Sequence, residues 1–265
     1  MTTKITTDWH LGDRRVAGTT PVTQQQLRDV LRNKLAETLD DNDHLIAGDL
    51  LDHFTVETSE LIALYHVLSE WLMKYGRRLA LLRGNHDFSM RGSAASSFDL
   101  LASILRAQFP EQVTVADEVT EWKQFVLVPH LPNNETLNIE VSKLKDVRDK
   151  VVVFHANIDN FFAAESQHSL CLSIEQIEDL VSRGNLVLCG HEHQYRELVN
   201  GRCVVLGNTY PSSIADCLGN SRKVTAYVTG TDIELEETWH SEGNYLEVDW
   251  QSLRDGTAEI GEHRF

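Results

Sequence analysis

In Leu79-Ala80-Leu81-Leu82-Arg83-Gly84-Asn85-His86-Asp87, four apolar residues run without a break towards a glycine, then an amide, an imidazole and a carboxylate. An apolar run that short, bounded by a turn residue, reads as a buried strand and not a helix. The same order recurs upstream, where His44-Leu45-Ile46-Ala47 stops at Gly48 and is followed by Asp49-Leu50-Leu51-Asp52. Nearer the start, β-branched residues 3–7 lead into Asp8-Trp9-His10 and read as a short edge strand. Downstream, Val151–Phe154 leads into His155, and Leu186–Cys189 into Gly190-His191-Glu192-His193. Layered α/β folds build their sites in loops at strand ends. Taken singly, each segment is an ordinary polar turn. Five strand ends that all present oxygen or nitrogen ligands are a pattern.

Helical periodicity fills the gaps between these strands. Leu27, Val30, Leu31, Leu35 and Leu39 form one stripe of a helix over Gln24–Leu39. A second helix spans Ser59–Tyr75, capped by Thr58 or Ser59 and ended by Gly76; a third, Phe98–Phe109, stops at Pro110. Short strands follow at Val113–Val115, Val119–Trp122 and Phe125–Val128, then helices over Glu135–Lys145 and Ile174–Val181. Asn200-Gly201 and Gly230-Thr231-Asp232 each join two β-rich runs into a hairpin. The pattern predicts one α/β domain with two packed sheets and helices outside.

Composition narrows the class. The 265 residues carry 40 acids against 24 bases, a net charge of −16, which argues against coating nucleic acid through surface Lys and Arg. Half of that excess lies in residues 232–265, where ten acids face only Arg254 and Arg264. No apolar stretch approaches a membrane span, and the N-terminus has no signal-peptide core. Cys171, Cys189, Cys203 and Cys217 lack CxxC spacing, so no thiolate zinc site is expected. A cytoplasmic protein without membrane association is the expectation.

Imidazole, carboxylate and one amide oxygen suit Mn²⁺, Fe²⁺ or Zn²⁺. About eight ligand contacts are on offer, enough for two ions, and a pair about 3.5–4 Å apart activates water and clamps a phosphoryl group. The residues therefore point to phosphate-ester hydrolysis.

Asp8-x-His10, Gly48-Asp49-x-x-Asp52, Gly84-Asn85-His86-Asp87, His155 and Gly190-His191-x-His193 resemble, in order, the five motifs of the calcineurin-like metallophosphoesterases. The resemblance implies a four-layer α/β/β/α fold, a two-sheet sandwich flanked by helices, over residues 1–240; the charge distribution leaves an acidic C-terminal tail over 241–265. It implies that Asp8, His10, Asp49 and His193 hold a first divalent metal, and that Asp49 bridges to a second held with Asn85, His155 and His191. His86 then serves the leaving group, Asp52 orients His86 by accepting its ring N–H, and Asp87 orders the loop.

Thr7-Asp8-Trp9-His10-Leu11-Gly12 with Gly190-His191-Glu192-His193 is similar to the Mre11/SbcD nuclease branch. That narrower resemblance implies a DNA nuclease using manganese, an SMC-like ATPase partner and a homodimer. Arg14, Arg15 and Arg91, next to the motifs, are candidate contacts to a phosphate backbone; Lys143, Lys145, Arg148 and Lys150 form another basic cluster. The alternative is a phosphodiesterase or phosphatase acting on a small nucleotide or phosphoprotein. The acidic charge, the polar first strand (Lys4, Thr6, Thr7) and the short chain favour it. A binding scaffold of the same fold is set aside because no motif residue is missing. His130 and His53 are read as loop or structural residues, and Tyr210-Pro211 as a candidate substrate-lining loop.

Overall fold

The structure is a computed structural model that describes residues 2–12, 21–88, 94–160, 169–217, 221–240 and 250–255. Its first half alternates as expected: β1 (Thr3–Thr6), α1 (Pro21–Thr38), β2 (Asp43–Ala47), α2 (Thr58–Tyr75), β3 (Leu79–Leu82), α3 (Ser97–Gln108) and β4 (Val113–Ala116). There follow β5 (Thr120–Trp122), β6 (Phe125–Val128), α4 (Asn134–Lys143), β7 (Val151–His155), β8 (Asn157–Ile158), β9 (Cys171–Leu172) and α5 (Ile174–Ser182). The last third holds β10 (Leu186–Gly190), β11 (Arg196–Leu198), β12 (Cys203–Val205), β13 (Arg222–Thr229), β14 (Asp232–His240) and a short α6 (Trp250–Asp255).

Two six-stranded sheets result, ordered β14-β13-β1-β2-β3-β4 and β11-β12-β10-β7-β6-β5, and β8 pairs β9 separately. Ile5, Leu45 and Leu82 of the first sheet pack in one core with Leu127, Val153 and Leu188 of the second. The other face of the first sheet buries Ile46 and Leu81 against Leu35, Leu68 and Leu105 of α1, α2 and α3. The second sheet buries Val152 and Val187 against Leu137 of α4 and Ile177 and Leu180 of α5. Three cores between four layers give the expected α/β/β/α sandwich. Among the described residues no helix is long and apolar enough to cross a membrane.

The first strand corrects the expectation of an edge. β1 lies in the sheet interior, parallel to β2 and antiparallel to β13, and Lys4, Thr6 and Thr7 are all buried. Polar side chains are tolerated there because each finds a partner. The Lys4 ammonium meets Asp40 at 3.2 Å, and Thr6 Oγ1 lies 2.9 Å from His44 Nε2 and accepts from Trp9 Nε1 at 3.0 Å. Both hairpins form where their turn residues placed them. At the first, Val199, Asn200 and Gly201 take φ of 49°, 54° and 77°, the left-handed turn that Asn-Gly favours.

Candidate metal centre

Parallel strands put all five chemistry-bearing loops at one end of the sandwich. β1, β2 and β3 are neighbours in the first sheet; β7 and β10 are neighbours in the second, with His155 opposite Gly190. The loops after β1 and β2 are knitted by main-chain bonds from Asp8 N to Gly48 O (3.1 Å), His10 N to Asp49 O (3.1 Å) and Asp52 N to Leu11 O (3.1 Å). This ladder holds Asp8, His10 and Asp49 at φ of 52°, 46° and 46°, while His191 sits at 91°. Such conformations cost about 1–3 kcal/mol each and persist only where surrounding structure over-determines them. Two glycines allow the close approach: a Cβ on Gly48 would lie 2.0 Å from His155 Nδ1, and one on Gly84 2.1 Å from Asp49 Oδ1.

The donor atoms fall into two groups. In the first, His10 Nε2 lies 3.0 Å from His193 Nε2, 3.8 Å from Asp49 Oδ2 and 3.9 Å from Asp8 Oδ1. In the second, Asn85 Oδ1 lies 3.0 Å from His155 Nε2 and 2.8 Å from His191 Nδ1, with Asp49 Oδ2 3.3 Å from His155 Nε2. Asp49 Oδ2 faces both. Asp8 Oδ2 accepts from Thr7 Oγ1 and from the main-chain N of His191 at 2.9 Å, but its buried Oδ1 has no hydrogen-bond donor. A fully buried carboxylate oxygen left so is costly unless a cation meets it. The residues therefore fit divalent metals, with an all-nitrogen-and-oxygen donor set that suits Mn²⁺, Fe²⁺ or Zn²⁺.

Residues 1–195 match the family model described as calcineurin-like phosphoesterase. The chain belongs to this family. Among solved structures it is similar to a dimetal phosphatase from Danio rerio, at 10% identity and TM-score 0.43, covering 89% of this chain and 95% of that one. It is also similar to a conserved uncharacterised protein, a predicted phosphoesterase, from Streptococcus pneumoniae, at 10% identity and TM-score 0.35, covering 91% and 90%. No curated protein matches.

Each histidine of this phosphoesterase centre turns one ring nitrogen inward and the other to an acceptor. His10 Nδ1 meets Asp52 Oδ1 at 3.1 Å, His155 Nδ1 the Ala47 carbonyl at 3.0 Å, His191 Nε2 the Ser169 hydroxyl at 2.9 Å, and His193 Nδ1 Asp216 Oδ1 at 2.8 Å. An outer N–H donated in this way leaves the inner lone pair facing the centre.

His86 Nε2 also faces the centre, 4.0 Å from Asp49 Oδ2, and with His10 and Asp49 it forms a third cluster of ligand atoms. The expected contact between Asp52 and His86 exists but runs through the main chain: His86 Nδ1 meets the Asp52 carbonyl oxygen. The Asp52 carboxylate is engaged elsewhere, by His10 and by His53 Nε2 at 2.9 Å. Asp87 orders the loops, accepting from Gly84 N at 3.0 Å and Leu51 N at 3.3 Å. Burial, and then the charge of Asp49, push its carboxyl up to about 7.

Arg14, Arg15 and Arg91 fall outside the described residues. Lys150 precedes β7 whereas His155 ends it, so the basic cluster around Lys143, Lys145, Arg148 and Lys150 sits about 16 Å away at the strand's other end. Tyr210 packs on the helical side and lines a cavity of about 280 Å³ with Trp9, Lys34 and Thr209. His130 is buried against Phe88, ring centroids 5.6 Å apart. Asp216 and Ser169 are site residues that sequence reasoning missed; the signal for Asp216, Ser213 three residues before an acid, resembles an ordinary cap.

The titration of the metal-free centre follows from its charges. Burial drives His10 towards the neutral imidazole, but the Asp52 hydrogen bond and the Asp49 and Asp8 charges more than offset this and hold it at about 9. Burial likewise opposes the imidazolium of His155, and Asp49 raises it to about 9. His191 is pushed down to about 4 by burial and by the charge of His155. Below pH 9 two imidazolium protons thus stand where a cation would. Metal binding should release about two protons per molecule at pH 7 and tighten as pH rises towards 9. The stability that metal-free protein draws from these raised values is full below about pH 6.5 and is lost as pH rises through 9. Proton release in weakly buffered solution, with melting curves from pH 6 to 10, checks both. A proton count of zero would show that these histidines are not protonated in the metal-free protein or do not ligate.

Proposed function

We propose that the protein is a dinuclear metal-dependent phosphodiesterase acting on DNA ends, in the manner of the Mre11/SbcD nucleases. The observation that carries the chemistry is the convergence of seven donors, four of them histidines locked by outer hydrogen bonds, on two positions that share Asp49. On this reading Asp8, His10, Asp49 and His193 hold one ion, and Asp49, Asn85, His155 and His191 the other. Two bound divalent cations supply Lewis-acid charge neutralisation and lower the pKa of water.

The chain's own residues do the rest. Asp49 fixes the spacing of the two positions and, through Oδ1, accepts from the main-chain N of His86 at 2.9 Å. His86, with Nδ1 donating to the Asp52 carbonyl, directs Nε2 at the substrate side and delivers a proton to the departing oxygen. His10 packs edge-on against the His86 ring, centroids 4.8 Å apart, which restricts its rotation. Support for DNA comes from the Thr7–Gly12 motif. The net charge of −16 favours the second reading, a small nucleotide or phosphoprotein substrate.

End-labelled linear duplex and single-stranded DNA, incubated with Mn²⁺ and either wild type or Asp49→Ala, separates the two. Degradation by wild type alone supports the nuclease. Intact DNA beside rapid hydrolysis of bis-p-nitrophenyl phosphate assigns the same centre to a smaller substrate.

A further inference from the structure

We infer that Asp216 is a positioning residue for His193, so that the first metal position is built in part by chain that follows the family-matched residues 1–195. The inference rests on the dinuclear reading above. Asp216 lies in a 3₁₀ turn, Ile214–Cys217, and is only 3% exposed. Its Oδ2 accepts four bonds, from the main-chain N and Oγ of Ser212 (3.0 and 3.0 Å) and of Ser213 (2.8 and 3.0 Å). That fixes the carboxylate and presents Oδ1 to His193 Nδ1 at 2.8 Å. An ionised carboxylate only accepts, so Nδ1 carries the proton and Nε2 offers its lone pair beside His10 and Asp8.

The same histidine is held at its backbone. Lys223, a fully buried lysine on β13, donates to the His193 carbonyl at 2.9 Å. The segment between is tied to the first motif, with Thr209 N on the Thr7 carbonyl at 3.0 Å and Thr7 N on Thr209 Oγ1 at 2.8 Å. In the second position His155 and His191 turn to a carbonyl and a hydroxyl. Both histidines of the first turn to carboxylates. Loss of Asp216 therefore falls on one position of the two.

The test is Mn²⁺ binding to the metal-stripped full chain, followed by calorimetry and by electron paramagnetic resonance of free Mn²⁺. Wild type should bind two equivalents. Asp216→Ala should weaken one by about 10–100-fold and leave the other within about twofold. Asp216→Asn, which keeps an acceptor oxygen and the shape, should fall between. In a His193→Ala background, Asp216→Ala should change nothing further, because its effect passes through that ring.

Two tight equivalents in both Asp216→Ala and Asp216→Asn would overturn the inference while leaving the dinuclear reading intact. So would a further loss of affinity in the double variant, which would mean that Asp216 acts on the fold at large. A wild type that binds fewer than two equivalents overturns the dinuclear reading, and this inference with it.

Discussion

Asp49→Ala is expected to bind neither metal tightly and to show no phosphodiester hydrolysis above a metal-only control. Its Oδ2 is, among the described residues, the carboxylate oxygen close to both histidine groups, 3.3 Å from His155 Nε2 and 3.8 Å from His10 Nε2. Every other donor serves one position; this atom serves two. Its Oδ1 also anchors the main chain at His86, so the Asn85-His86 loop loses a restraint. In the metal-free state below pH 9 the substitution leaves the His155 imidazolium without its buried carboxylate partner, while His10 keeps Asp52 and Asp8. Breaking such a pair costs about 3–5 kcal/mol. Metal content, activity and thermal midpoint measured on one preparation check the three effects together. Retention of both metals would show that the positions do not share this ligand.

His86→Ala should separate binding from turnover. Its side chain is 23% exposed, against 2% for Asp49, and its Nε2 is the nitrogen directed at the centre. Loss of a positioned general acid costs about 10²–10⁴-fold in turnover, and two equivalents of metal should remain. The penalty should shrink for an aryl diester, because p-nitrophenolate departs without a proton, and should be full for an alkyl or nucleoside leaving group. A near-wild-type rate on DNA or on an alkyl diester would remove His86 from the mechanism. Loss of one metal would make it a ligand instead, the role its third cluster with His10 and Asp49 leaves open.

The legible parts of this molecule were those where residue type alone is informative. A glycine after an apolar run, then Asn-His-Asp or Asp-x-x-Asp, is hard to use any other way. The strand ends and the residues that supply the seven proposed ligands therefore emerged together. Asn200-Gly201 was legible because few residues take left-handed turns cheaply.

What stayed hidden depends on partners far along the chain. Lys4 and Thr6 look like edge residues until Asp40, His44 and Trp9 appear beside them. The family resemblance implies that Asp52 lies near His86, but not that its carbonyl makes the contact while its carboxylate turns to His10. Asp216 reaches His193 across 23 residues and follows no motif of the first 195.

The proposed catalyst is two metals on a shared carboxylate. Stepwise addition of Mn²⁺ to the metal-stripped protein, with bound metal and hydrolysis of bis-p-nitrophenyl phosphate followed on the same sample, tests it most directly. Activity is expected to track the doubly loaded fraction and to saturate at two equivalents. Full activity at one equivalent, or no hydrolysis with two firmly bound, would contradict it.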